Sequence, residues 1–122
     1  MPRIRILLVA VVAVLVLAVV GAQASTTAVK GTLTGNVGPG FTITLTQKGK
    51  AVKILKAGTY KINVNDKSSM HNFHLFGPGV EQKTDVGATG TSNWTVTFKK
   101  GSYTYQCDVH FRSGMIEHFT VT

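Results

Sequence analysis

Cys107 is the only cysteine in the chain, and it stands in the run Tyr105-Gln106-Cys107-Asp108-Val109-His110-Phe111-Arg112-Ser113-Gly114-Met115. A thiol is followed three residues later by an imidazole, and a thioether follows five residues beyond that. A second imidazole source lies far upstream, in Met70-His71-Asn72-Phe73-His74-Leu75. One Cys, two His and a weakly bound Met are the donor set of a copper centre that transfers electrons. Each residue alone has a plainer reading. A buried cysteine is often an inert core thiol, and a methionine before a terminal strand commonly fills core space. The spacing C-x2-H-x4-M, joined to a distant histidine, sets the combination apart.

Such donors need a rigid frame, and the chain supplies strands. After residue 25 no stretch shows helical periodicity of useful length, whereas period-two alternation is widespread. Phe41-Ile43-Leu45, Val52-Ile54, Tyr60-Ile62-Val64, Trp94-Val96-Phe98, Tyr103-Tyr105-Cys107 and Phe119-Val121 each alternate with polar residues. Each reads as a half-buried antiparallel strand with one wet face. Turn signals fall between them at Gly38-Pro39-Gly40, Gln47 to Lys50, Ala57-Gly58, Gly77-Pro78-Gly79, Gly87 to Gly90 and Lys99-Lys100-Gly101. The pattern predicts an all-β protein, a Greek-key β-sandwich of about seven to eight strands. Gly77 to Ser92 reads as a surface crossover with room for a short helix.

Strand parity sorts the histidines. Read as a strand, Met70 to Phe76 places 71, 73 and 75 on one face and 70, 72, 74 and 76 on the other. Phe73 and Leu75 look like core, so His71 points inward and His74 outward; a bulge would exchange them. Cys107 continues the inward row of Tyr103 and Tyr105. His110 and Met115 then lie in the following loop, which can present three donors held at both ends. His74 and His118 fall on outward parity and read as solvent-facing, a secondary surface metal site being the sharper alternative.

Bulk properties set the compartment. Arg3 and Arg5 precede an apolar run from Ile6 to Val20, and Ala22-Gln23-Ala24 has the small-x-small form that signal peptidase reads. Residues 1–24 are therefore expected to be a signal peptide cleaved after Ala24, the rival being an uncleaved N-terminal anchor. Residues 25–122 would form one domain with a single core. The chain is expected to be exported, to a periplasmic, extracellular or membrane-surface location. A lone cysteine in an oxidising compartment has no disulfide partner within the chain, so it cross-links to another chain, sits buried and inert, or binds metal, and its His and Met neighbours favour metal. Without Arg3 and Arg5, eleven basic residues face five acidic ones. The lysines are scattered, so nucleic acid is not an expected partner. The plainer reading of these lysines is a solvated surface; docking to an acidic partner or an anionic membrane surface is the sharper alternative. The acids are few and dispersed, and no carboxylate pair or Ser-His-Asp arrangement is visible, which argues against an enzyme. Asn93-Trp94-Thr95 matches a glycosylation sequon but lies in a predicted strand.

The run Cys107-Asp108-Val109-His110 with Met115, preceded by the aromatic Tyr103-x-Tyr105 strand and by His71-Asn72, resembles the cupredoxins, the type 1 blue copper family, and is plastocyanin-like in loop length. The resemblance covers roughly Phe41 to Thr122. It implies one copper ion, Cu(I) or Cu(II), held by His71, Cys107 and His110 with Met115 as axial donor. It implies that Asn72 ties the two ligand-bearing segments together. It implies a monomeric one-electron carrier whose partner is a redox protein such as a cytochrome or an oxidase. The chain departs from the family pattern at Glu117, where many relatives have Gly, at Val109, where Pro is common, and at the bulky, charged Phe111-Arg112. Rival readings are a copper-binding or delivery protein, a structural β-sandwich with a degenerate metal site, and zinc held by Cys107, His71 and His110.

Overall fold

The alternation resolves into two five-stranded sheets packed face to face. The computed structural model describes residues 18–24 and 26–122. Most of the expected signal segment, residues 1–17, lies outside the described residues, and 18–24 are irregular and exposed. Among the described residues no helix is long and apolar enough to cross a membrane.

The strands are β1 (Val29–Val37), β2 (Ile43–Gln47), β3 (Lys50–Ala51), β4 (Ile54–Leu55), β5 (Gly58–Asp66), β6 (His74–Gly77), β7 (Val80–Lys83), β8 (Gly90–Phe98), β9 (Gly101–Gln106) and β10 (Ile116–Val121). Eight have four residues or more, and β3 and β4 are two-residue pieces. One sheet runs β3-β2-β1-β5-β8 and the other β4-β10-β9-β6-β7. The chain changes sheet repeatedly, as a Greek-key sandwich requires.

Four expectations need correction. Pairing is not antiparallel throughout, since β1 runs parallel to β5 and β4 parallel to β10. Phe41 does not join the inward row of Ile43 and Leu45; it lies before β2 and is 56% exposed. Ile54 is 72% exposed while its neighbours Val52 and Leu55 are buried, because the chain crosses there from one sheet to the other. The stretch Gly77 to Ser92 carries β7 and the start of β8 and no helix.

Inward residues of both sheets fill one core. Tyr103 stacks on Phe119 at 5.4 Å, and Phe73 stacks on Tyr105 at 5.5 Å. The Tyr103 hydroxyl is buried without cost because it donates to a backbone carbonyl, that of Lys99 at 2.7 Å, and accepts from the Lys99 N–H at 3.1 Å. Among the described residues the core begins at Leu33.

Candidate metal centre

Three neighbouring strands of one sheet aim their ends at a single place. His74, Gln106 and Ile116 lie in one row across β6, β9 and β10. Just beyond that row, Cys107 follows β9 and Met115 precedes β10. The Cys107 N–H donates to the Met115 carbonyl at 3.0 Å, which extends the ladder by one step. Between them the chain must reverse in seven residues. It does so through a 3-10 turn at Phe111–Ser113, closed by Gly114 at φ 94°. That left-handed conformation is costly for any residue with a Cβ. The Met115 N–H then donates to the His110 carbonyl at 3.3 Å, which fixes the loop's span.

His71 arrives from the other side, three residues before β6. The strand predicted from Met70 starts only at His74, so 71, 72 and 73 are all buried in an irregular segment. Parity pointed to the histidine that joins the cluster, but a packed loop places it. A buried polar network holds that loop. The Thr84 hydroxyl donates to Asp66 at 3.1 Å and accepts from the Phe73 N–H at 2.9 Å, while the Ser68 N–H donates to Asp66 at 3.2 Å.

The result is one cluster of three donors. Ligand atoms of His71, Cys107 and His110 all lie within 4.8 Å of one another. The Cys107 sulfur is 3.8 Å from Nδ1 of His71 and 3.7 Å from Nδ1 of His110, and the two Nδ1 atoms are 2.9 Å apart. A first-row metal such as zinc bonds sulfur at about 2.3 Å and nitrogen at about 2.0 Å; at trigonal angles those atoms would sit about 3.7 Å apart. The three side chains are thus positioned to bind one metal ion, and the thiolate–imidazole set suits copper. Cys107 and His71 are fully buried and His110 is half-buried. Met115 is fully buried beside Cys107 in the ladder.

Two further groups shape the cluster. The exposed Phe41 ring meets His71 edge-on at 5.3 Å between centroids and His110 at 4.8 Å. Gly38 also lies against His71; an added Cβ would come within 3.3 Å of the ring's Cδ2 and 2.9 Å of the Ser68 Cβ. Nε2 of His71 is buried and has no hydrogen-bond partner among the described residues. A metal-binding histidine ordinarily donates its second N–H to a fixed acceptor. Here ring packing by Phe41 and Gly38 takes over that orienting task. Phe41 was legible only as a strand residue, because nothing in its neighbours marks it as a lid.

Asn72 links the two donor-bearing segments. Its Oδ1 accepts from the Asp108 N–H at 2.8 Å, and its Nδ2 donates to Asp108 at 2.9 Å and to the Thr84 carbonyl at 3.3 Å. Asp108 had been read only as a dispersed surface charge. It also meets His74 Nδ1 at 2.7 Å and accepts from Gln106 at 3.1 Å. Burial pushes the Asp108 carboxyl up, but hydrogen bonds from His74, Asn72 and Gln106, together with the charge of His74, outweigh this and hold it below the usual carboxylate range. His74 turns away from the cluster, with its Nε2 2.5 Å from Glu81. His118 contacts the Thr104 hydroxyl at 2.9 Å. Among the described residues no second group of three metal donors forms around either histidine.

No protein-family model matches the chain, and no curated protein matches its sequence. Solved structures do match its fold. Reduced rusticyanin superposes with a TM-score of 0.59 at 19% identity, covering 78% of this chain and 81% of that one. Rusticyanin from Thiobacillus ferrooxidans gives 0.58 at 20% identity, covering 78% and 79%. A multi-copper oxidase from Pediococcus acidilactici gives 0.52 at 16% identity, covering 87% of this chain but 29% of that one. The sandwich described above is therefore the cupredoxin fold.

Proposed function

We propose that this chain is a mononuclear type 1 copper protein that carries single electrons outside the cytoplasm. In this reading His71, Cys107 and His110 hold one copper ion and Met115 is its weak axial donor. The observation that carries it is the convergence of two Nδ1 atoms on one buried cysteine sulfur, at 3.7 and 3.8 Å. Bound copper would supply one-electron chemistry between Cu(I) and Cu(II), which thiolate and imidazole donors both suit.

The chain's own part is to hold those donors still. Cys107 and Met115 are fixed by the β9–β10 ladder, His110 by the 3-10 turn, and His71 by its ring contacts. Asn72 and Asp108 lock the two segments to each other. Of the two imidazoles only His110 reaches the surface, so it is the port for electrons. Exposed Phe41, Met70 and Val109 adjoin it or its neighbour His71, giving a redox protein such as a cytochrome or oxidase an apolar place to dock beside the exposed Arg112. The protein is read as a carrier and not as an enzyme.

The test uses the domain Ser25 to Thr122. Cu(II) is added and the visible and EPR spectra are recorded beside those of Cys107→Ser. An intense blue band that disappears in the variant is expected. A colourless wild type, or a band that survives the substitution, would sink the reading.

A further inference from the structure

The strands end at two poles. One holds the His71–Cys107–His110 cluster, beyond the paired ends Val37 and Asp66 and beyond Gln106. The other collects the start of β1, the β2–β3 turn, the passage from β4 into β5, and the β6–β7 and β8–β9 turns. Six exposed lysines sit there: Lys30, Lys48, Lys50, Lys56, Lys99 and Lys100.

Contacts tie these turns together. The Lys30 side chain lies over Gly58, where an added Cβ would come within 2.5 Å of it, and the Gln47 amide lies over Gly31 in the same way at 2.8 Å. The Ala57 N–H donates to the carbonyl of Thr122 at 2.8 Å. Lys99 reaches across to Gly79, its Nζ 3.9 Å from where a Cβ would stand. Among the described residues none of the six lysines forms an ion pair; Lys53 does, with Glu117. The five acids of the chain are all absent from these turns. Ile54, 72% exposed, shares a groove with Lys48 and Lys50. The chain also enters the sandwich at this pole, at Val29, shortly after the apolar run Ile6 to Val20.

We propose that this lysine pole docks on an anionic lipid bilayer and turns the metal pole toward the aqueous side. Several lysines brought to one anionic surface add their attractions, and no acidic side chain in the turns offsets them. Ile54 supplies an apolar side chain beside Lys48 and Lys50, which complements charge at a lipid interface. The six lysines are spread over four separate segments with Ile54 exposed among them, which favours the broad surface of a bilayer over an acidic protein as occupant. The orientation that results rests on the electron-carrier reading: His110, at the far pole, stays open to a diffusing partner.

The test is sedimentation of metal-free Ser25 to Thr122 with vesicles, so it does not depend on copper. Vesicles containing phosphatidylglycerol are compared with pure phosphatidylcholine at low and at raised salt. Binding to the anionic vesicles alone, weakened by salt, is expected. Lys48→Glu with Lys50→Glu should weaken that binding about tenfold or more, as loss of two lysine contacts implies. Lys67→Glu with Lys83→Glu makes the same change in net charge near the metal pole and should leave binding within about twofold. All four lysines are exposed, and unchanged circular dichroism would show that both variants fold. Wild type that ignores anionic vesicles overturns the proposal and leaves an acidic protein as the occupant. Equal weakening in the two double variants overturns it in favour of net charge alone.

Discussion

Asp108 shows how much one side chain beside a ligand can hold. Its backbone N–H and its carboxylate both bond Asn72, so the segment bearing Cys107 and the segment bearing His71 move as one. Asn72 bonds its Oδ2, and His74 and Gln106 both bond its Oδ1. Because its carboxyl titrates below the usual range, the sign of its contribution is fixed. Its stabilisation is complete above the unfolded value of about 3.9 and is lost as pH falls through the lower folded value. In metal-free protein, the difference in melting temperature between wild type and Asp108→Asn should therefore be largest near neutrality and shrink below about pH 4. Thermal melts of both proteins from neutral to strongly acid pH check this, and parallel curves would contradict it. The tie through Asn72 was expected from the resemblance, but the part played by the Asp108 carboxylate was not visible in the sequence, where it is one of five scattered acids. Its role appears only when His74, three residues past a donor, folds back beside it.

Among the elements, β5, β8, β9 and β10 were legible because their inward rows are unbroken runs of large apolar residues. β1 was not. Its inward row is Leu33, Gly35 and Val37, and the glycine erases the alternation. The structure explains the glycine, since the Phe73 ring occupies the space its side chain would need, 2.9 Å from an added Cβ. The β1–β2 connection carries a second such case with more consequence for the site. Gly38 has φ 73° and lies against both Ser68 and His71. Gly38→Ala combines a left-handed backbone with close approach to a donor ring, so it should destabilise the fold by about 1–3 kcal/mol. It should also displace His71, so copper added to the variant should give an altered visible spectrum. Urea unfolding measures the first effect and absorption the second. A stable variant with an unchanged spectrum would show that the β1–β2 connection does not set the position of His71.

At the scale of the whole molecule, the pairing of Cys107 with His110 was legible because C-x2-H is local, and the approach of His71 because parity happened to agree with a buried loop. The lid at Phe41, the parallel β1–β5 pairing and the gathering of lysines at one pole were not, since each depends on which turns share an end of the sandwich. That arrangement has a thermodynamic consequence. The three donors are already gathered in a packed frame, so a metal that fits them binds the folded chain in preference to the unfolded one and must raise its stability. At a free-metal concentration about a hundredfold above Kd the gain is about 2.7 kcal/mol. A domain of this size shifts its Tm by about 4–8 °C per kcal/mol, so Cu(II) should raise the Tm of Ser25 to Thr122 by about 10–20 °C. Cys107→Ser removes the thiolate but leaves both imidazoles in place, so most of that shift should vanish in the variant. An equal shift in both proteins would mean that the metal binds elsewhere, and none in the wild type would mean that the cluster, though gathered, does not hold copper.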